Sequence, residues 1–152
     1  MTIRNQLLAC GALFLAACGG HSAGGVQPLG SAEAAVREFM AAVQDSNIAR
    51  MGRSWGSSSG PAAVTNDPPQ WEQRMKVVQY YLRGGTFRIA TDAPVPGDSK
   101  RRNLQVELTR GACVKSLPFV AVQSGSGWLV ESVDISVAGN PRNPCPAAPA
   151  SP

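Results

Sequence analysis

The apolar residues of this chain change their period at Gly84-Gly85, and no other feature limits the fold as strongly. Before that pair the spacing is helical. Trp71, Met75, Val78 and Leu82 fall at i, i+4, i+7 and i+11, and Ala32, Ala35, Val36, Phe39, Met40 and Val43 form a similar stripe earlier, so each segment presents one buried face. Ser31 suits an N-cap and Glu33 the positive end of a helix dipole, which predicts a first helix over 32–44. Asp45-Ser46-Asn47 reads as a break and a new cap, with Ile48 and Met51 on a short second helix. Gly52 and the Ser-, Gly- and Pro-rich residues 57–61 predict a long irregular loop that carries Trp55. Asp67 before Pro68-Pro69 predicts the start of a third helix, since proline is tolerated in a first turn.

After Gly85 the period is two. Strand-like stretches occur near 86–91, 103–110, 114–123 and 128–137. In the second of these Leu104, Val106 and Leu108 share one face, while Asn103, Gln105, Glu107 and Thr109 share the other. That is the pattern of a half-buried antiparallel strand. Pro94-Val95-Pro96-Gly97-Asp98, Arg110-Gly111 and Ser124-Gly125-Ser126-Gly127 read as the connections. The expected fold is α+β, with N-terminal helices packed on a curved, cone-shaped antiparallel sheet of four strands.

The amino-terminal residues carry an address. Arg4 supplies a positive start, and residues 7–17 are uncharged and too few to cross a bilayer as a helix, which takes about 20 apolar residues. Leu15-Ala16-Ala17-Cys18 closes this run and resembles the lipobox of exported bacterial lipoproteins. The resemblance implies that residues 1–17 are a removed signal peptide and that Cys18 becomes an acylated first residue. Three acyl chains would hold such a chain firmly, since each buried methylene contributes about 0.8 kcal/mol. Gly19 stands where Asp would retain a lipoprotein in the inner membrane, which implies the outer membrane, facing the periplasm. Cutting at Cys10 would leave too short an apolar segment; an ordinary cleaved signal peptide is the competing reading. Residues 18–30, rich in Gly and Ser, then serve as a tether of about 20 Å.

What remains is long enough for one domain, over 31–138, and a Pro-rich tail over 139–152. From Cys18 onward there are thirteen Lys and Arg (fourteen in the chain, one of them Arg4) against ten Asp and Glu, a mild excess that argues against nucleic acid. In an oxidising compartment Cys113 and Cys145 are expected to bridge and pin the tail, a restraint of about 3–4 kcal/mol on the chain-entropy model. Two cysteines and a single histidine, His21 in the tether, make a poor metal site, and their spacing is far from Cys-x-x-Cys.

The order of elements resembles the nuclear transport factor 2-like (cystatin-like α+β) superfamily, with the opening Ala35-Val36-Arg37-Glu38-Phe39-Met40-Ala41-Ala42-Val43, then Asp45 and Met51, and the late Gly127-Trp128-Leu129-Val130 carrying the likeness. It implies a first helix lying across a concave sheet and a pocket at the open end of a cone. Enzymes of that scaffold use a pocket Asp, His or Tyr for proton transfer. The folded part of this chain has no His. Asp134 shares a strand face with Trp128 and Val130 and is the candidate inward carboxylate; the alternative is a solvated residue at the rim. Arg110 continues the face of Leu104, Val106 and Leu108, and is expected either to meet an anionic ligand or to snorkel to water. Trp55, Tyr81 and Trp128 join Arg110 and Asp134 as candidate pocket residues, with Trp71 assigned to the core and Tyr80 to the surface. Lys100-Arg101-Arg102 reads as a basic tip between strands, either solvated or touching anionic headgroups.

No Ser-His-Asp set, phosphate loop or metal motif occurs, and no cofactor or catalytic residue is assigned. The expected role is a membrane-anchored, non-catalytic domain that binds a small apolar ligand or an envelope protein. The alternatives are an enzyme using Asp134 and a tyrosine, and a purely structural envelope module.

Overall fold

The computed structural model describes residues 29–125 and 127–145, so Cys18 and the residues up to 28 expected to form a signal peptide and tether lie outside the described part. The first helix, α1 (Ala32–Gln44), begins where the sequence predicts: Ser31 Oγ accepts the Ala34 amide at 3.1 Å. Its apolar stripe is fully buried, from Ala32 through Val43. Asn47 Oδ1 accepts the Arg50 amide at 2.9 Å and starts α2 (Ile48–Ser54). Arg50 forks back onto both carboxylate oxygens of Glu38, at 2.6 and 2.8 Å, and so ties the two helices together. Gly52 lies inside α2 rather than at the start of a loop, because the Trp71 ring packs where a Cβ would stand.

Residues 57–61 are more ordered than their composition predicts. Strands β1 (Gly56–Ser57) and β2 (Gly60–Pro61) form a minimal hairpin, followed by one helical turn, α3 (Ala62–Thr65). Trp55 holds this segment down: its backbone bridges Val130, and its Nε1 donates to the Glu131 carbonyl at 3.0 Å. Helix α4 (Trp71–Leu82) starts later than Asp67-Pro68-Pro69 suggests, with Gln70 at the N-cap. The residue before a proline is kept out of the helical region, so Pro68, which precedes Pro69, cannot open a helix. Trp71, Met75 and Leu82 are buried and Val78 packs beside them.

Beyond Gly85, whose φ of 81° and close approach to the Thr109 carbonyl favour glycine, the chain forms an antiparallel meander. Its strands β3 (Thr86–Val95), β4 (Asp98–Arg110), β5 (Cys113–Ser124) and β6 (Gly127–Val133) pair in sequence order. The class is therefore α+β with a four-stranded antiparallel sheet. Two connections differ from expectation. The first hairpin is longer, turning at Pro96-Gly97, so that Lys100-Arg101-Arg102 belongs to β4. Arg101 bonds to both oxygens of Glu131 at 2.7 Å and to Asp98, and Arg102 to Asp92; two of the three charges of the expected basic tip are thus paired across strands. The last strand ends early, at Val133, and a 3-10 turn over Ile135–Ala138 follows.

Leu104, Val106 and Leu108 of β4 and Leu117, Phe119 and Ala121 of β5 are buried in one core with the stripe of α1, where the Phe39 and Phe119 rings meet edge to face at 6.3 Å. Cys113 and Cys145 form a disulfide with a Cα–Cα distance of 5.7 Å, which fastens residue 145 to the start of β5. Phe39→Ala should cost about 3–5 kcal/mol in chemical denaturation, since Phe39 has no exposed surface. The Glu38 carboxyl is held below its usual 4.5, first by the hydrogen bond from Arg50. A lowered native pKa contributes stability above the unfolded value that is lost as pH falls through the native one. Urea midpoints should therefore drop from about pH 5 to pH 3 in the parent chain, and less steeply in Glu38→Gln.

Candidate functional site

Helix α4 has more apolar surface than its buried stripe accommodates. Trp71, Met75 and Leu82 face the core, whereas Val77 is 50% exposed and Tyr80 and Tyr81 are half-buried. These side chains form one wall of a cleft, and the end of β6 with the 3-10 turn forms the other. One part, of about 440 Å³, is lined by Trp55, Met75, Val77, Val78, Val133 and Ile135, with Arg74, Glu131 and Ser132 at its polar edge. A second part, of about 730 Å³, is lined by Val77, Tyr80, Tyr81, Ile135, Gly139, Asn140 and Pro141, with Ser136. Val77 and Ile135 line both, so the two parts adjoin along α4. The tyrosine rings stand edge to face at 5.5 Å, and Arg83 lies over the Tyr80 ring at 5.0 Å.

Arg110 holds the two walls together from beneath. It is 8% exposed, and its guanidinium donates to the carbonyls of Tyr81, of Gly84 at 3.4 Å and of Ala138 at 3.3 Å. One planar group thus joins the C-terminal end of α4 to the 3-10 turn, and the carbonyl end of a helix is where a cation is favoured. Burial lowers its pKa, yet a guanidinium starts so high that it keeps its charge. The Arg110 carbonyl oxygen lies 3.9 Å from Cys145 Sγ, so the disulfide meets the same corner. Neither snorkelling nor anion binding describes this residue: its donors are occupied by the chain's own carbonyls.

Asp134 faces water, at the N-cap of the 3-10 turn. Its Oδ1 accepts the Ser136 hydroxyl at 2.6 Å and the Ser136 amide at 2.9 Å, and these bonds hold the carboxyl below its ordinary range. The strand ends one residue before it, so the alternation that would have turned it inward no longer applies. Trp128 lies away from the cleft, at the start of β6, where its amide donates to the Leu29 carbonyl at 2.9 Å and its ring packs partly on the core. Of the five candidate residues, Trp55 and Tyr81 line the cleft in its two parts, Arg110 supports it, Asp134 sits outside at its edge and Trp128 is elsewhere. Sequence reasoning missed Val77 and Ile135. A β-branched residue off the buried stripe of α4 is the signal for Val77; Ile135 gave none, because it falls where the predicted strand turns into a 3-10 helix.

Chemically the cleft offers apolar and aromatic surface with polar groups at its ends. Among the described residues no three His, Cys, Asp or Glu side chains gather as a metal set, and no described helix is long and apolar enough to cross a membrane. No protein-family model, curated protein or solved structure matches this chain.

Truncating Arg110 would leave three carbonyls at a partly buried corner without their donor. Arg110→Ala should cost about 3 kcal/mol in thermal or urea unfolding, and Arg110→Lys should recover only part of it, since an ammonium lacks the planar fork.

Proposed function

We propose that this chain is a lipid-anchored envelope lipoprotein whose domain docks an extended, apolar segment of another envelope protein in the cleft between α4 and β6. Anchoring rests on the likeness of Leu15-Ala16-Ala17-Cys18 to a lipobox, with Cys18 acylated and the domain held in the periplasm at the outer membrane. The cone-shaped scaffold of the nuclear transport factor 2-like superfamily is part of the same reading, supported by the order of four helices, the third a single turn, before a four-stranded meander.

The adjoining apolar pockets along α4, with Val77 half in water on their shared wall, carry the docking reading. Sites for small molecules bury about 70–90% of the ligand, and this cleft lies open along α4, which suits a polypeptide segment better than a small apolar molecule. Catalysis draws little support. The outward Asp134 is held ionised at neutral pH, the opposite of the raised pKa that a general acid needs, and Arg110 is engaged with backbone.

Two readouts on the full-length protein test the proposal. Intact mass of the membrane-fraction protein should show a triacylated chain beginning at Cys18; an unmodified Cys18 would overturn the anchoring. The fluorescent apolar probe N-phenyl-1-naphthylamine should bind the purified chain, lose most of that binding in Val77→Glu and keep it in Val64→Glu, a substitution at a 70% exposed valine outside the cleft. Equal loss in both variants, or in neither, would remove the cleft as the apolar site.

A further inference from the structure

We propose that the docked segment is acidic at both ends: an extended stretch of the partner whose carboxylates stand about four residues apart, with apolar side chains between them, and meet cations at the two ends of the cleft. This rests on the docking reading above and names the chemistry of its partner. Most charges away from the cleft are matched. Arg37, Arg50, Arg88, Arg101 and Arg102 each meet a carboxylate at 2.5–2.8 Å. The cations around the cleft are not matched: Arg74, Arg83, Lys115 and Arg142 meet no carboxylate among the described residues.

Arg74 is exposed and lines the end of the cleft that Trp55 and Val133 enclose. The other three gather at the tyrosine end. Arg83 lies over the Tyr80 ring at 5.0 Å, and Arg142 follows Pro141 of the wall. Lys115, on the inward face of β5 opposite Leu108, runs its stem past Gly139 of the same wall, where a Cβ would stand 3.6 Å from the lysine Cε. Lys115 is half-buried, and a cation partly out of water gains more from a carboxylate than one on open surface. The middle of the cleft has the opposite sign. Asp134, ionised at its rim beside Ile135, which lines both parts, repels an acid placed there. Glu131 does not cancel Arg74, because Arg101 holds both its oxygens. Arg74 and Arg83 stand nine residues apart along α4 and its cap, about 14 Å on the helix axis. Four residues of extended chain reach about 13 Å, with the first and last side chains on one side. Carboxylates at i and i+4 therefore reach both ends while the residues between them pass Val77 and Ile135.

Three blocked peptides, titrated into the full-length chain while the amide resonances of Val77, Tyr81 and Ile135 are followed, test this. They are acetyl-Thr-Asp-Val-Leu-Val-Asp-Thr-amide and the same peptide with Asn or with Lys in place of both Asp. The Asp peptide should shift these resonances and bind about fivefold more tightly than the Asn peptide at low salt, and the gap should close as sodium chloride screens the pairs. The Lys peptide should bind most weakly. Arg74→Glu should weaken the Asp peptide and strengthen the Lys peptide. Lys100→Glu, the same change of net charge at an exposed lysine outside the cleft lining, should alter neither. Equal affinities for the Asp and Asn peptides, or equal effects of the two substitutions, overturn the acidic segment and leave an apolar docking site standing. If none of the three peptides moves the cleft resonances, the docking reading itself fails and this inference with it. Shifts produced by phosphatidylglycerol vesicles and by no peptide overturn it in favour of an anionic lipid surface.

Discussion

The buried guanidinium of Arg110 is the interaction on which the corner around the cleft depends. A cation taken out of water without a carboxylate is costly unless oxygen acceptors surround it. Here the acceptors are backbone carbonyls of Tyr81, Gly84 and Ala138, from three places in the chain. Helix α4 ends with carbonyls that no later turn can satisfy, and the 3-10 turn ends near the same point. One rigid fork answers both needs. The end of α4, the glycine turn into β3 and the segment after β6 are held at a spacing that the guanidinium sets. β4 places Arg110 there by continuing the inward face of Leu104, Val106 and Leu108 to its last residue, opposite Cys113. The disulfide then fastens residue 145 beside it.

The same framework explains why apolar surface stays open next to a filled core. Phe39, Phe119, Met40, Met51 and Met75 fill the interior with almost no exposed area. α4 meets that core with one stripe, and its neighbouring face looks across to β6. Collapse of the two walls is prevented because each is fixed at its own end. Trp55 is bonded to the Glu131 carbonyl on one side, and Arg110 bridges the other. Charged groups are kept for other work: Arg101 forks onto Glu131 and Asp98, and Arg50 onto Glu38 and Asp45. With Arg102 on Asp92, two of the three charges at 100–102 are paired by carboxylates of the sheet.

Legibility in the sequence followed the strength of local signals. The stripes of α1 and α4, the cap at Ser31, the break and new cap within Asp45-Ser46-Asn47 and the alternation of β4 were readable because each depends on residues a turn or two apart. The hairpin at 56–61 was not, since its glycines and serines have no preference of their own and are ordered by Trp55 reaching β6. Hairpin length failed for a related reason: cross-strand pairs such as Arg102–Asp92 extend β3 and β4 past residues that look like loop formers. Of the two positions left open for Asp134, the structure gives the solvated rim, because its orientation depends on where β6 ends. For the cleft, Trp55 and Tyr81 were found by their chemistry, whereas Val77 and Ile135 were not, because an exposed valine or a strand-end isoleucine carries meaning only once the facing wall is known.

By itself the sequence determined the class, the switch from helices to an antiparallel meander, the buried faces and the single pair of cysteines left to bridge after residue 18. Those properties come from periodicity and caps, which act over a few residues. Tertiary structure alone decided that Arg110 would bind carbonyls instead of a ligand, that Asp134 would face water and that α4 would leave a second apolar face uncovered. Each outcome depends on groups far apart in the chain, Arg110 and Ala138 or Trp55 and Glu131, whose meeting is set by how the helices and the sheet pack and by no local preference of either partner.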